Sequence, residues 1–309
     1  MKKLQFIFAA VALLVLSLGM TGCDPNDPNN PDNPATSEIV STSETNNGDG
    51  IVVEVIYKNN IRLYFELTSP TECALTLYQD YYGRYKEGFE QYAYSGDLVI
   101  PETITHKGVT YTVTDISYGV REYSGNVTTV WIPKTVIDDN IIRVVQYWWE
   151  LTAINVATDN PKFASVDGHL FDNTKTKFLC YARANTGESY TVPDGVKEIY
   201  KNAFLSCEKL QTITIPNGVI EIGADAFYFC SGLTTFQIPN SVTLIDMMAF
   251  AYCKGLASIT CLALVPPVLF CHNNSPFDGS SIRTVKVPAG SVEAYRAAVG
   301  WRNLTIVAL

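Results

Sequence analysis

Histidine is scarce in this sequence, clusters of basic residues are missing, and no apolar run is long enough to cross a bilayer. The 309 residues hold 3 histidines, and 31 aspartates and glutamates outnumber 22 lysines and arginines, for a net charge of -9. An acidic chain without basic clusters excludes phosphate-backbone recognition, so no nucleic-acid partner is expected, and direct adhesion to anionic lipid is disfavoured. His106, His169 and His272 each stand in a turn-like or cap-like segment without an evident partner and are expected to be exposed or loosely bonded. No glycine-rich phosphate loop, His-Glu-x-x-His helix or Gly-x-Ser-x-Gly elbow occurs, and no acid pair stands out for glycoside hydrolysis. The run "DPNDPNNPD" lacks the central glycine and distal glutamate of an EF-hand loop. The chain therefore reads as non-enzymatic, with no catalytic residue, no metal and no cofactor.

The N-terminus reads as a targeting signal. Lys2 and Lys3 precede an apolar run from Leu4 to Leu18, shorter than the roughly 18 residues that span a membrane, as in a secretory signal over residues 1–22. It ends at "MTGC", which resembles a bacterial lipoprotein box and implies cleavage before Cys23 and lipid on its sulfur. Two or more acyl chains anchor stably where one does not. Residues 23–50 are rich in Pro, Asn, Asp, Ser and Thr, with Asp24, Asp27, Asp32, Glu38, Glu44 and Asp49 and no Lys or Arg. Such a stretch buries too little to fold and is expected to be a disordered stalk.

The rest of the chain is well supplied with apolar residues, 47% overall, and its pattern repeats. "VPDGVKEIYKNAFLSCEKLQTIT", "IPNGVIEIGADAFYFCSGLTTFQ" and "IPNSVTLIDMMAFAYCKGLASIT" start at Val192, Ile215 and Ile238, 23 residues apart. Pro193, Pro216 and Pro239 match, as do Phe204, Phe227 and Phe250, and Cys207, Cys230 and Cys253. Helical-pair repeats need about 33 residues or more, so this period fits a solenoid in which no unit buries its own apolar face and neighbours must stack. In each coil "LxxIxI" supplies one strand, proline turns the chain, "VxxI" supplies a second extended stretch, and "AFxxC" points inward.

The unit "IPxxVxxIxxxAFxxCxxLxxI" resembles the BspA-like class of leucine-rich repeat, found in surface lipoproteins of Gram-negative anaerobes. "GDLVIPETITHKGVTYTVTDI", from Gly96 to Ile116, is similar to the entry unit of that family. "NPKFASVDGHLFDNTKTKFLCYA", from Asn160 to Ala182, is similar to its hairpin insertion, and "VPAGSVEAYRAAVGWRNL", from Val287 to Leu304, to its C-terminal cap. The resemblance implies a mainly β fold class, a right-handed solenoid of BspA-like 23-residue leucine-rich repeats with an N-terminal β module and a C-terminal cap. The expected layout is a β-hairpin module over residues 51–95, degenerate repeats over 96–157, a hairpin insertion over 158–190, regular repeats over 192–260 within a solenoid of 96–286, and a cap over 287–309. Between Ile116 and Leu151 the register of the degenerate repeats stays open. Alternating runs around Asn59 and Asn60 predict a hairpin, and "CALTLYQ" a further strand.

Cysteines at one phase of successive coils sit about 4.8 Å apart with parallel side-chain vectors, whereas a disulfide needs Cβ atoms about 3.5 to 4.5 Å apart. Cys207, Cys230 and Cys253 are therefore expected as free core thiols, beside the core phenylalanines. Of the 8 cysteines, lipidation of Cys23 leaves an odd number. Cys73 and Cys180 are not placed, and a Cys261–Cys271 bridge near the cap stays open.

Two surfaces are candidates for binding. Outward positions of the strands, among them Thr212, Thr214, Thr235 and Gln237, form a flat, uncharged face, for which strand propensity alone is the competing explanation. Between Phe and Cys of each unit lie two positions expected to face out, giving Tyr228, Phe229 and Tyr252, with Tyr147 and Trp148 at about the same phase of the degenerate unit. Exposed aromatics give contact area at low entropic cost; packing against a neighbouring element is the alternative. The family resemblance implies an adhesin-like lipoprotein on the bacterial outer membrane, at the cell surface or its periplasmic face, that binds an extracellular or host protein and touches the membrane only through its lipid. A polysaccharide-capturing accessory lipoprotein and a structural envelope protein without a ligand are the alternatives.

Overall fold

The computed structural model describes residues 39–46, 50–57, 62–76, 94–117, 120, 126–270 and 275–309. The signal segment, Cys23, Asn59 and Asn60, His272 and Cys271 lie outside the described residues, so lipidation and the Cys261–Cys271 pairing do too.

The N-terminal part is a rolled sheet. Strands β1 (Ile39–Asn46), β2 (Ile51–Tyr57), β3 (Arg62–Leu67) and β4 (Glu72–Thr76) form an antiparallel meander. The β2–β3 pairing is the expected hairpin, and β4 is the expected extra strand. After β5 (Ser95–Val99), the hairpin of β6 (Thr103–His106) and β7 (Val109–Ile116) completes the sheet, in the order β1-β2-β3-β4-β7-β6. Strands β1 and β6 are opposite edges, yet His106 Nδ1 lies 2.8 Å from Thr42 Oγ1 and its Nε2 3.0 Å from Glu44 Oε2. The Lys107 ammonium donates to the other Glu44 oxygen at 2.6 Å. These contacts bring the two edges together.

Two sequence expectations are corrected here. The stalk read over residues 23–50 does not extend through Ile39–Asn46, which is strand: the run Ser41 to Asn46 pairs residue by residue with β2 even though the segment is polar. The boundary read at residue 95 is crossed by the parallel pairing of β4 with β7, so the first sheet takes in part of the entry repeat.

The solenoid begins where β5 pairs in parallel with β8 (Asn126–Ile132), followed by helix α1 (Asn140–Val145) and β9 (Ala153–Val156). A hairpin of β10 (Phe163–Val166) and β11 (His169–Asp172) leads into β12 (Lys177–Cys180). From there two parallel ladders run along the axis. Strands β13 (Ser189–Thr191) and β15 (Thr212–Thr214) pair in parallel on the face to which the "LxxIxI" strands contribute. On the second face, β12, β14 (Glu198–Ile199), β16 (Glu221–Ile222) and β18 (Leu244–Ile245) stack in register, Phe178 beside Ile199, Ile222 and Ile245. The first face continues with β17 (Gln237–Ile238) and β19 (Ser258–Cys261), and β20 (Val268–Leu269) ends the second. Strand β21 (Thr284–Val287), helix α2 (Val292–Ala297) and β22 (Thr305–Ala308) close the end. Tyr295 and Trp301 are fully buried there, and the Trp301 indole donates to the Pro267 carbonyl at 2.7 Å.

The interior is ordered by phase. Phe204 stacks on Phe227 at 5.1 Å and Phe227 on Phe250 at 5.2 Å, and the row reaches back to Phe178 at 4.6 Å from Phe204. Cys207, Cys230 and Cys253 are free and buried. Their role exceeds filling space: the Cys230 thiol donates to Phe204 O at 3.0 Å and that of Cys253 to Phe227 O at 3.1 Å, tying each coil to the one before. Burial pushes the thiols of Cys230 and Cys253 up, so they stay protonated and able to donate.

The histidine expectation is also corrected. His106 is 5% exposed and His169 2% exposed. His169 lies on β11, accepts the Ala182 amide at 3.1 Å and stacks on Tyr181 at 4.2 Å, and burial lowers its pKa to about 4. The β10–β11 hairpin folds this ring into the coil, which a turn-like local sequence did not convey.

Candidate functional site

Each coil makes two left-handed turns around its inward Ala-Phe pair. Asn202, Asp225 and Met248 take φ of 58°, 55° and 55°, and Ser206, Phe229 and Tyr252 take 53°, 58° and 58°. Asparagine and aspartate suit such φ values; phenylalanine and tyrosine do not, at a cost of about 1–2 kcal/mol each. This backbone also decides which of the two residues between Phe and Cys faces solvent. Leu205 and Ala251 at the first position are buried and Tyr228 is half-buried, whereas Phe229 at the second is 40% exposed. The expectation that both positions face out is corrected: at the second position Phe229 is exposed, while Ser206 and Tyr252 are half-buried.

Tyr228, Phe229 and Tyr252 are brought together. The Phe229 and Tyr252 rings lie 4.7 Å apart at an interplanar angle of 6°, and the Tyr228 ring stands edge-on to both, at 4.9 Å and 5.3 Å. The Lys254 ammonium lies 5.7 Å from the Tyr252 ring centroid. Beyond Tyr252 comes Gly279, φ 64°, where an added Cβ would stand 2.7 Å from the tyrosine ring. Glycine there makes room for the stack.

Tyr147 and Trp148 do not join them. Trp148 is fully buried; it precedes Leu151 by three residues, as Cys207 precedes Leu210, and so occupies the cysteine phase. Its neighbour Trp149, which sequence reasoning passed over, is the exposed indole at 52%, with the Arg183 guanidinium 4.0 Å over its ring. Counting back from Leu151 would have found it. Tyr147, at the Ser206 phase, is half-buried. Arg183 Nη2 donates to Gln146 O at 2.7 Å, and burial lowers the pKa of the guanidinium.

The strand face is a separate surface. Thr212, Thr214, Thr235 and Gln237 are all exposed, and the parallel register sets Ser189 beside Thr212 and Thr191 beside Thr214. At its edge Glu188, Lys209, Gln211 and Thr234 line an open depression of about 420 Å³. Among the described residues no group of three His, Cys, Asp or Glu side chains converges as a metal site, and no helix is long and apolar enough to cross a membrane.

Residues 174–298 match the BspA type Leucine rich repeat region, in 6 copies. None of the curated proteins matches the sequence. Among solved structures, a leucine-rich repeat protein from Eubacterium ventriosum is 25% identical, with a TM-score of 0.49, 69% of this chain covered and 54% of that one. One from Bacteroides ovatus is 17% identical, with a TM-score of 0.41, 74% of this chain covered and 58% of that one. A leucine rich cell surface protein from Faecalibacterium prausnitzii is 16% identical, with a TM-score of 0.30, 80% of this chain covered and 93% of that one. This chain thus spans about half the length of the Eubacterium ventriosum protein. With a 23-residue period, stacked phenylalanines and six matched copies, residues 174–298 form a BspA type leucine rich repeat region.

Proposed function

We propose that this chain is a non-enzymatic, lipid-anchored protein of the bacterial outer membrane that binds an extracellular protein through the side of its solenoid. The observation that carries this reading is the pair Phe229 and Tyr252, aromatic side chains kept partly in solvent on left-handed backbone. Strain of this kind persists where the surroundings enforce it and collects at functional positions. Aromatic rings with few rotatable bonds are also the side chains that dominate protein interfaces. The threonine-rich strand face offers a second, separate and uncharged surface, and Cys23 supplies the anchor.

The test is binding of the full chain to immobilised extracellular-matrix proteins, mucins and polysaccharides. Saturable binding to a protein, lost in a Phe229→Asn, Tyr252→Asn double variant, is the expected result. Binding confined to one class of polysaccharide replaces this reading with glycan capture, and binding to none of the panel favours a structural role in the envelope.

A further inference from the structure

The aromatic stack is closed at one end and open at the other. Amide donation from Ser206 to Tyr228 O at 2.7 Å, from Phe229 to Ala251 O at 3.0 Å and from Tyr252 to Asp278 O at 2.9 Å sets Ser206, Phe229, Tyr252 and Gly279 in one row along the axis. All four have positive φ, at 53°, 58°, 58° and 64°. Beyond Tyr252 the row is sealed by the Gly279 backbone, which lies against the tyrosine ring. On the other side the row continues to Ser206, which carries no ring. The Tyr252-facing side of Phe229 is covered by the tyrosine ring, and the Phe229 side chain nevertheless remains 40% exposed. Arg183, two residues after Tyr181 in the coil before, is held against Trp149 and the Gln146 carbonyl.

We infer that the space above Ser206 is a slot for one aromatic side chain of the partner protein, which stacks on the free face of Phe229 and extends the pair to three rings. This rests on the protein-binding reading above and names the chemistry of its contact. Coils repeat at about 4.8 Å, and the existing rings are 4.7 Å apart, so a ring entering at the Ser206 level lies at stacking distance from Phe229. The half-buried Tyr228 stands edge-on to both Phe229 and Tyr252 and steadies the pair on which the third ring would stack. A flat π-ring suits this site better than a sugar, whose rim of hydroxyls calls for several hydrogen-bond partners, while the row at the Ser206 level presents only the Ser206 hydroxyl. The left-handed backbone at Phe229 has a use under this reading: it presents a ring where asparagine or glycine would sit without strain.

The experiment uses the full chain and saturation-transfer NMR, with N-acetyl-tryptophanamide and N-acetyl-tyrosinamide as ring probes and methyl β-D-glucopyranoside as the sugar probe. The amides are expected to bind and the glucoside not to. Ser206→Phe, which keeps the same φ class as Phe229 and fills the slot with the protein's own ring, is expected to weaken amide binding at least about tenfold with an unchanged circular-dichroism spectrum. Phe229→Asn removes the stacking face without backbone strain and gives the same loss, which keeps the test open if Ser206→Phe does not fold. Unchanged amide binding in both variants overturns the slot, as does binding of the glucoside in the amides' place or of no probe at all. A partner protein held equally by wild type and Ser206→Phe overturns the slot and leaves the protein-binding reading standing. Amide binding with no protein partner on the panel does the reverse.

Discussion

Phe204, Phe227 and Phe250 lie in one continuous stack with almost no exposure, so each ring is packed on both faces by the same residue type. Truncating the middle one, Phe227→Ala, leaves a cavity that neighbouring coils cannot close without breaking their ladders. A loss of about 3–5 kcal/mol is expected by chemical denaturation; a loss below about 1 kcal/mol would mean that the stack is not what holds the coils together. Gly232 has a different constraint. A Cβ there would meet Glu208 O at 2.1 Å, and one at Gly255 would meet Ser231 O at 2.5 Å. Gly232→Ala is therefore expected to lower stability by about 1–3 kcal/mol, read as a fall in melting temperature, while the same change at Gly290, where an added Cβ meets nothing, has little effect. The repeating core was legible in the sequence because eight positions recur at 23. The orientation of the aromatic pair was not, because the sign of φ alternates within the coil without a glycine to announce it. Trp148 was misread for a simpler reason: in a unit that had lost Ala-Phe and Cys, a slip of one residue exchanged the buried phase for the exposed one.

Among the elements, the β10–β11 hairpin carries a titrating group. The folded-state pKa of His169, about 4, lies below its ordinary 6.5, so between these values the unfolded chain binds the extra proton. Stability is then complete above about pH 6.5 and falls as the pH drops towards 4, by on the order of 3 kcal/mol. His169→Phe is expected to flatten that part of a stability–pH curve; an equally steep curve in the variant would assign acid sensitivity to other groups. At the N-terminal sheet, His106 and Glu44 join two edge strands far apart in the pairing order. His106→Ala is expected to loosen β1 and to speed proteolysis within Ile39–Asn46 at neutral pH, without change in the repeats. This arrangement was hidden from the sequence. The parallel pairing of β4 with β7 links segments some 40 residues apart, and the alternation that marks each strand does not say which partner it takes.

The whole molecule is a stack in which each regular coil bonds to the next at a nearly constant offset, as in Phe204 to Ala226 and Phe227 to Ala249. Deleting residues 215–237 joins Thr214 to Ile238 with the pattern intact. The shortened chain is expected to fold, to lose about 4.8 Å of axial length in solution scattering, and to melt a few degrees lower, as a stack with one fewer interface should. Loss of its β circular-dichroism signal would show that this unit is not interchangeable with its neighbours.

The free thiols give the stack a memory. Among the described residues Cys73, Cys180, Cys207, Cys230, Cys253 and Cys261 are all buried and unpaired, so an oxidant outside reaches none of these six thiols while the coils are closed. A coil that opens, even briefly, exposes sulfur that oxidises or crosslinks, and a modified sulfur no longer fits beneath the next coil. In air the protein would thus work like a blown fuse: the native form lasts with or without reductant, while the yield on refolding depends on reductant strongly, and the fraction that fails records how often the coils have come apart.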